Sequence, residues 1–224
     1  MTDYFQAGVV RAAAGAIARP TTSTRCYATD AMSSTARRMH YTYEQYRLLE
    51  DESTVRHEYL DGEIYAMARG SPDHAALASA VGALLRPALP PGCRTFSSDL
   101  RVRIAASGLT TYPDLTVVCG PTQRAPDDAL AVTNPVLLVE VTSPSTEDYD
   151  RGEKLRHYQL LPSVREVLFV SHRAPALTLH RREEGDRWVI IEAGPGSTLT
   201  LAAIAGTIAV NDVYRDPLED TEAR

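Results

Sequence analysis

The sequence predicts an α/β (α+β) domain whose core runs α-β-β-β-α-β, preceded by a helix plus hairpin and followed by a second hairpin. Three observations predict it: a capped apolar helix pattern after Ser71, apolar strand-like segments between Phe96 and Val141, and a helix-then-strand signal from Asp148 to Val170. Thr42 with Gln45 has the spacing of a capping box, and Tyr43, Tyr46 and Leu49 supply an apolar face, so a short helix is expected over 42–52. Arg56 to Leu60 and Glu63 to Ala68 flank Asp61-Gly62, a dipeptide that accepts the positive φ angles of a tight hairpin. Ser71 and Pro72 open the core helix over 73–88; Ala75, Ala78, Val81, Leu84 and Leu85 form its face, and Pro87 and Pro90-Pro91-Gly92 close it.

Phe96, Leu100, Val102 and Ile104 then alternate as a first strand, Ser107-Gly108 turns the chain, and Leu115 to Val118 forms a second strand. A polar loop over 120–134 leads to the apolar strand Val136 to Val141. Asp148 to Leu161 reads as a helix ended before Pro162, with Ser143 to Thr146 as its turn and N-cap, and Val167 to Val170 as a buried strand after it. Ala176 to Leu179 and Arg187 to Ile191 flank a turn at Glu183 to Asp186 and make the final hairpin.

A chain of 224 residues, 44% hydrophobic and 23% charged, suits one domain with a sizeable core. The expected organisation is a disordered extension over 1–38, a folded domain over 39–214 and an acidic tail over 215–224. The extension is basic: residues 1–39 hold five arginines against Asp3 and Asp30, a balance of +3 within a net charge of −6 that leaves −9 on the remaining 185 residues. Its composition is also that of an organellar transit peptide, while Met32 and Met39 offer internal starts. A body so acidic lacks the field of a strong non-specific nucleic-acid binder, so any contact with nucleic acid must be local. No apolar run is long enough to span a bilayer. Cys26, Cys93 and Cys119 are odd in number and widely spaced, which indicates neither a disulfide framework nor a zinc site and fits a reducing, cytoplasmic setting.

The chemistry-bearing residues fall late in this order. Of 23 basic side chains Lys154 is the one lysine, and an ammonium is a compact point charge that a planar guanidinium does not replace. Codon bias alone would also leave one lysine by chance, so it is the place of Lys154 relative to the carboxylates that points to a role. Asp114 follows Pro113 at a strand start, and Glu140 stands among Leu137, Leu138, Val139 and Val141. A carboxylate in so apolar a segment is costly unless it is paired, bound to metal, or turned to the solvent face of a half-covered sheet. Asp150, Lys154 and Tyr158 recur at helical spacing and share one face, which can lower the lysine toward the carboxylates. Two carboxylates suit a hard cation such as Mg²⁺, and with a nearby ammonium they suit phosphodiester hydrolysis.

Five segments carry a resemblance: Glu58-Tyr-Leu-Asp-Gly-Glu-Ile, His74, Pro113-Asp114-Leu-Thr-Val, Leu138-Val-Glu140-Val-Thr-Ser-Pro-Ser-Thr146, and Asp150-Arg-Gly-Glu-Lys154-Leu-Arg-His-Tyr158. In this order, over roughly residues 42–182, the chain resembles the Uma2 branch of the PD-(D/E)XK nuclease superfamily. The resemblance implies a restriction-endonuclease-like core, a mixed central sheet flanked by helices, and a Mg²⁺- or Mn²⁺-dependent endonuclease acting on nucleic acid, with DNA favoured over RNA. It implies Asp114 and Glu140 as metal carboxylates, the Val141 carbonyl as a further oxygen ligand, Lys154 as the catalytic lysine, and Glu58 as a water-mediated metal contact. His74, Asp150 and Tyr158 stand around that set; His74 by itself also reads as a helix-capping residue. One departure is Thr142, where the superfamily places a lysine two residues after the glutamate; Uma2-like chains carry it on the next helix, as here. Arg101 and Arg103, alternating on one strand, and Arg151 beside Lys154 are candidates for a basic rim toward nucleic acid. Trp188, Tyr41, Tyr43 and Tyr46 read as packing residues. A homodimer is left open, and the alternative function is a catalytically silent nuclease-fold module that binds nucleic acid or protein.

Overall fold

The computed structural model describes residues 40–67, 70–143, 150–216 and 218. The expected extension over 1–38, Cys26, the turn over 144–146 and most of the acidic tail lie outside the described residues.

Helix α1 (Tyr43–Glu52) starts at the expected capping box: the Thr42 hydroxyl accepts from the Gln45 N–H at 3.2 Å, and the Thr42 N–H donates to Gln45 Oε1 at 2.8 Å. Its buried residues are Tyr46 and Glu50, and Leu49 is exposed. Strands β1 (His57–Leu60) and β2 (Glu63–Ala66) pair antiparallel across Asp61 and Gly62, both at positive φ. Helix α2 (Pro72–Ala88) is capped by Ser71, and its inner face is Asp73, Leu77, Val81 and Leu85, one residue per turn. The expected face was wider; Ala75 is exposed, and Ala78 and Leu84 are half-buried.

Between α2 and the Lys154 segment the described residues form seven strands where three were expected. The segment read as one alternating strand is two: β3 (Cys93–Ser97) and β4 (Arg101–Ile104) are separated by a turn in which the Leu100 N–H donates to the Ser97 carbonyl, and they enter different sheets. After β5 (Leu109–Thr111) and β6 (Leu115–Cys119), the expected polar loop holds β7 (Arg124–Ala125) and β8 (Asp128–Val132); β9 (Leu137–Val141) follows. The Lys154 segment is a π-helical turn (Asp150–Lys154) running into α3 (Leu155–Gln159), then come β10 (Glu166–Val170) and the expected hairpin of β11 (Leu177–Arg182) and β12 (Trp188–Ala193). A small antiparallel pair, β13 (Thr198–Leu201) and β14 (Gly206–Ala209), and the short α4 (Val210–Val213) complete the domain.

One six-stranded sheet runs β2-β1-β5-β4-β8-β7 and the other β12-β11-β10-β9-β6-β3. The second is mixed: β3, β6 and β9 pair antiparallel and β9 pairs parallel with β10, so α2, β3, β6, β9, α3 and β10 reproduce the expected core order. Strand β9 is buried along its whole length because both of its faces are covered. Leu137, Val139 and Val141 pack toward Leu77, Val81 and Leu85 of α2, while Leu138 packs with Leu155, Tyr158 and Phe169. Full burial of such a side chain contributes about 1.5–3 kcal/mol, which fixes β9 and what it carries.

Cys93 and Cys119 stand directly opposite each other on β3 and β6 and are joined by a disulfide. This corrects the expectation of no disulfide. The two lie 26 residues apart, and strand register rather than sequence spacing brings them together, so the cysteine count is no argument for a reducing compartment. No helix among the described residues is long and apolar enough to cross a membrane.

Candidate active site

The site forms where β6 begins and β9 ends. Leu115 pairs with Val139, so continuing the antiparallel register sets Asp114 opposite Glu140 and Pro113 opposite Val141. Pro113 has no N–H to offer the Val141 carbonyl, and the Asp114 carboxylate takes the Val141 N–H instead, at 2.7 Å. The same Asp114 oxygen lies 3.2 Å from His74 Nε2. His74 is placed by the first turn of α2, where its N–H donates to the Ser71 hydroxyl. Its hydrogen bond to Asp114 raises the imidazole pKa above its ordinary value, outweighing the burial that lowers it.

Glu140 is 4% exposed, which removes the solvent-face alternative. Its Oε1 accepts a hydrogen bond from the Tyr158 hydroxyl and lies 3.1 Å from Lys154 Nζ. Tyr158 is fully buried; burial, and then the Glu140 charge, hold its hydroxyl well above the usual phenol range, so it stays a donor. Lys154 is 5% exposed, and its Nζ is also 2.9 Å from Glu58 Oε1. The structure thus gathers Asp114, Glu140, Lys154, Glu58, His74 and Tyr158 at one place. Asp150 is the first residue of the π-helical turn that leads to Lys154. Such turns recur at functional sites because they re-aim side chains, and this one ends on Lys154.

The expected basic rim needs correction. Arg101 and Arg103 are 5% and 8% exposed, because α1 covers one face of β4 and the core the other. Arg101 donates to Asp128 at 2.6 Å and to the Tyr112 hydroxyl at 2.8 Å, and Arg103 donates to the Gly108 carbonyl at 3.0 Å with its guanidinium 3.8 Å over the Tyr43 ring. They are structural groups, out of reach of a phosphate backbone. Arg151 stays beside the site: half-buried, it donates to Thr178 Oγ1 at 3.3 Å and lies 5.5 Å over the ring of Phe169, the residue paired with Glu140.

One residue that the sequence did not single out reaches the site, Thr111, and the chain just past Glu140 is tied to the segment after β10. The Thr111 hydroxyl donates to Glu58 Oε1, and the buried Thr142 hydroxyl lies 2.9 Å from Nδ1 of His172, two residues past β10. Thr111, three residues before Asp114, was the more findable; nothing local in the sequence marks His172.

Among the described residues no three His, Cys, Asp or Glu side chains form a ready-made metal cluster. The donor set that fits a hard cation is smaller: the Asp114 and Glu140 carboxylates and the Val141 carbonyl, which the register leaves without a ladder donor from Pro113. All are oxygens, and two carboxylates with waters and substrate oxygens completing the shell is the usual environment of Mg²⁺.

Comparison with known proteins identifies the family and the fold. The model of the Uma2 family, described as "Putative restriction endonuclease", matches residues 43–211. Two uncharacterized proteins of Synechocystis are similar: slr1290 at 37% identity over 174 residues, covering 77% of this chain and 90% of its own, and sll1609 at 32% over 155 residues, covering 67% and 86%. The crystal structure of "a putative nuclease belonging to DUF820" from Anabaena variabilis matches with a TM-score of 0.63, covering 78% of this chain and 98% of that one at 16% identity, which shows the shared fold. With the family model running from α1 to α4 and both relatives aligned across most of their length, the chain belongs to the Uma2 family.

Proposed function

We propose that this protein is a divalent-metal-dependent endonuclease that hydrolyses phosphodiester bonds, with DNA favoured over RNA. The observation that carries the reading is the buried juxtaposition, at 3.1 Å, of Lys154 Nζ on the π-helical turn with Glu140 on β9, the strand whose register sets Asp114 opposite Glu140. The family description supports nuclease chemistry and, through restriction, DNA as the substrate.

Asp114, Glu140 and the Val141 carbonyl would hold Mg²⁺ or Mn²⁺, which when bound neutralises phosphate charge and acidifies water. Lys154 contributes a fixed cation for the charge that builds on the phosphoryl oxygens and a donor that orients the attacking water. Tyr158 and Lys154 meet at one Glu140 oxygen and set that carboxylate's rotamer, and His74 with the Val141 N–H does the same for Asp114. The apolar floor of Leu138, Leu155 and Phe169 keeps bulk water from the ammonium, which strengthens its attraction to a phosphate.

A silent binding module is the second reading, favoured by the acidic body and by the withdrawal of Arg101 and Arg103 from the surface. Incubating the protein with single- and double-stranded DNA and RNA in Mg²⁺, Mn²⁺ or chelator separates the two. Metal-dependent cleavage of DNA, absent in Asp114→Asn, is the expected outcome; metal binding without cleavage of any substrate would favour the silent module.

A further inference from the structure

We propose that Glu58 is a positioning residue: oriented by Thr111, it holds the Lys154 ammonium against Glu140 and is not itself a ligand of the metal. The contacts divide the acidic groups. Asp114 is engaged by His74 and the Val141 N–H, whereas Glu58 Oε1 is engaged by the Thr111 hydroxyl and by Lys154 Nζ at 2.9 Å. The ammonium stands between Glu58 and Glu140, at 2.9 and 3.1 Å, so a metal bridging those two carboxylates would have to displace it.

A lysine needs such a clamp. Its flexible four-carbon stem has large rotamer entropy, and one carboxylate leaves the ammonium free to swing about it. Here the second carboxylate comes from a different sheet: Glu58 lies on β1, and Glu140 on β9. Its orientation is inherited from the segment that also presents Asp114. Thr111 ends β5, which pairs with β1 through Thr110 and Tyr59. The next residue, Tyr112, is anchored by its hydroxyl to Glu50 at 2.7 Å and by Arg101 at 2.8 Å. One braced stretch, Thr111 to Asp114, therefore sets the lysine through Glu58 and the cation through Asp114.

The rate arm of the test rests on the proposed nuclease reading; the spectroscopic arm does not. Because the chain has a single lysine, full-length protein labelled with ¹³C-lysine gives one set of side-chain signals. The clamped Lys154 should show two resolved Hε resonances, which should merge in Glu58→Gln and draw together in Thr111→Val, a variant that removes one hydroxyl at nearly constant volume. Magnesium affinity by calorimetry should be unchanged in Glu58→Gln and lost in Asp114→Asn. Single-turnover cleavage should fall about ten- to hundredfold in Glu58→Gln, as for other supporting residues. The double variant Glu58→Gln/Lys154→Arg should be no slower than Lys154→Arg alone, because the two residues act as one unit. Resolved Hε signals that persist in a folded Glu58→Gln, or a tenfold or greater loss of magnesium affinity in it, would overturn the proposal. If the wild type neither binds metal nor cleaves, the nuclease reading falls, while the lysine signals still decide the role of Glu58.

Discussion

Lys154 has carboxylates on two sides, and this determines what its replacement should do. Lys154→Arg keeps the charge, but a planar fork cannot occupy the point that Glu58 and Glu140 define. Single-turnover cleavage should fall by roughly a hundred- to thousandfold, the usual effect of losing one group that stabilises transition-state charge. Since Lys154 is buried rather than on an open helix surface, the larger side chain should also lower stability by about 1–3 kcal/mol, measurable by denaturant unfolding. Arg101 gives a second residue-scale test. Burial pushes the pKa of Asp128 up, but the hydrogen bonds from Arg101, the Leu130 N–H and Tyr43, with the Arg101 charge, together outweigh it and leave it below the ordinary 3.8. A carboxylate with a depressed folded pKa contributes stability that is present above its unfolded pKa and is lost as pH falls through the folded one. Arg101→Met should therefore cost about 3–5 kcal/mol at neutral pH by stranding Asp128, and it should flatten the loss of stability below pH about 4. Asp114, Glu140 and Lys154 were legible because carboxylates in apolar strands and a lone lysine are unusual. The burial of Arg101 and Arg103 was not, because alternation on a strand says which residues share a face and not what covers it.

At the scale of elements, punctuated segments were readable and unpunctuated ones were not. The capping box at Thr42, the turn at Asp61-Gly62 and the cap at Ser71 each satisfy backbone groups locally, and each stands where the sequence places it. Strand β8 hides in a polar segment because it draws its stability from pairing with β4 and from the Asp128 network rather than from its own apolar content. The split between β3 and β4 was equally hidden, since two strands in different sheets keep one continuous alternation in sequence. The Cys93–Cys119 bridge is the long-range consequence of that pairing. Closing a loop of 26 residues constrains the unfolded chain, and reduction should lower stability by about 3–4 kcal/mol. Thermal melts with and without reductant, and of Cys119→Ala, check this; the reduced protein and the variant should melt alike.

For the whole molecule, two sheets meet at one cluster of charges: β1 of one brings Glu58, and β6 and β9 of the other bring Asp114 and Glu140. The family resemblance was legible because its segments occur in order, while the clamp around Lys154 depends on contacts between residues 58, 111 and 154 that no local pattern records. In the proposed function Asp114 and Glu140 hold a cation, and calorimetric unfolding across a Mg²⁺ or Mn²⁺ titration reads that out without any substrate. A ligand bound only by the native state stabilises it by mass action, about 2.7 kcal/mol at a hundred times the dissociation constant. The wild type should gain stability steadily with free metal, while Asp114→Asn and Glu140→Gln should gain little or none. An identical gain in all three proteins, or none in any, would mean that these two carboxylates are not a cation site.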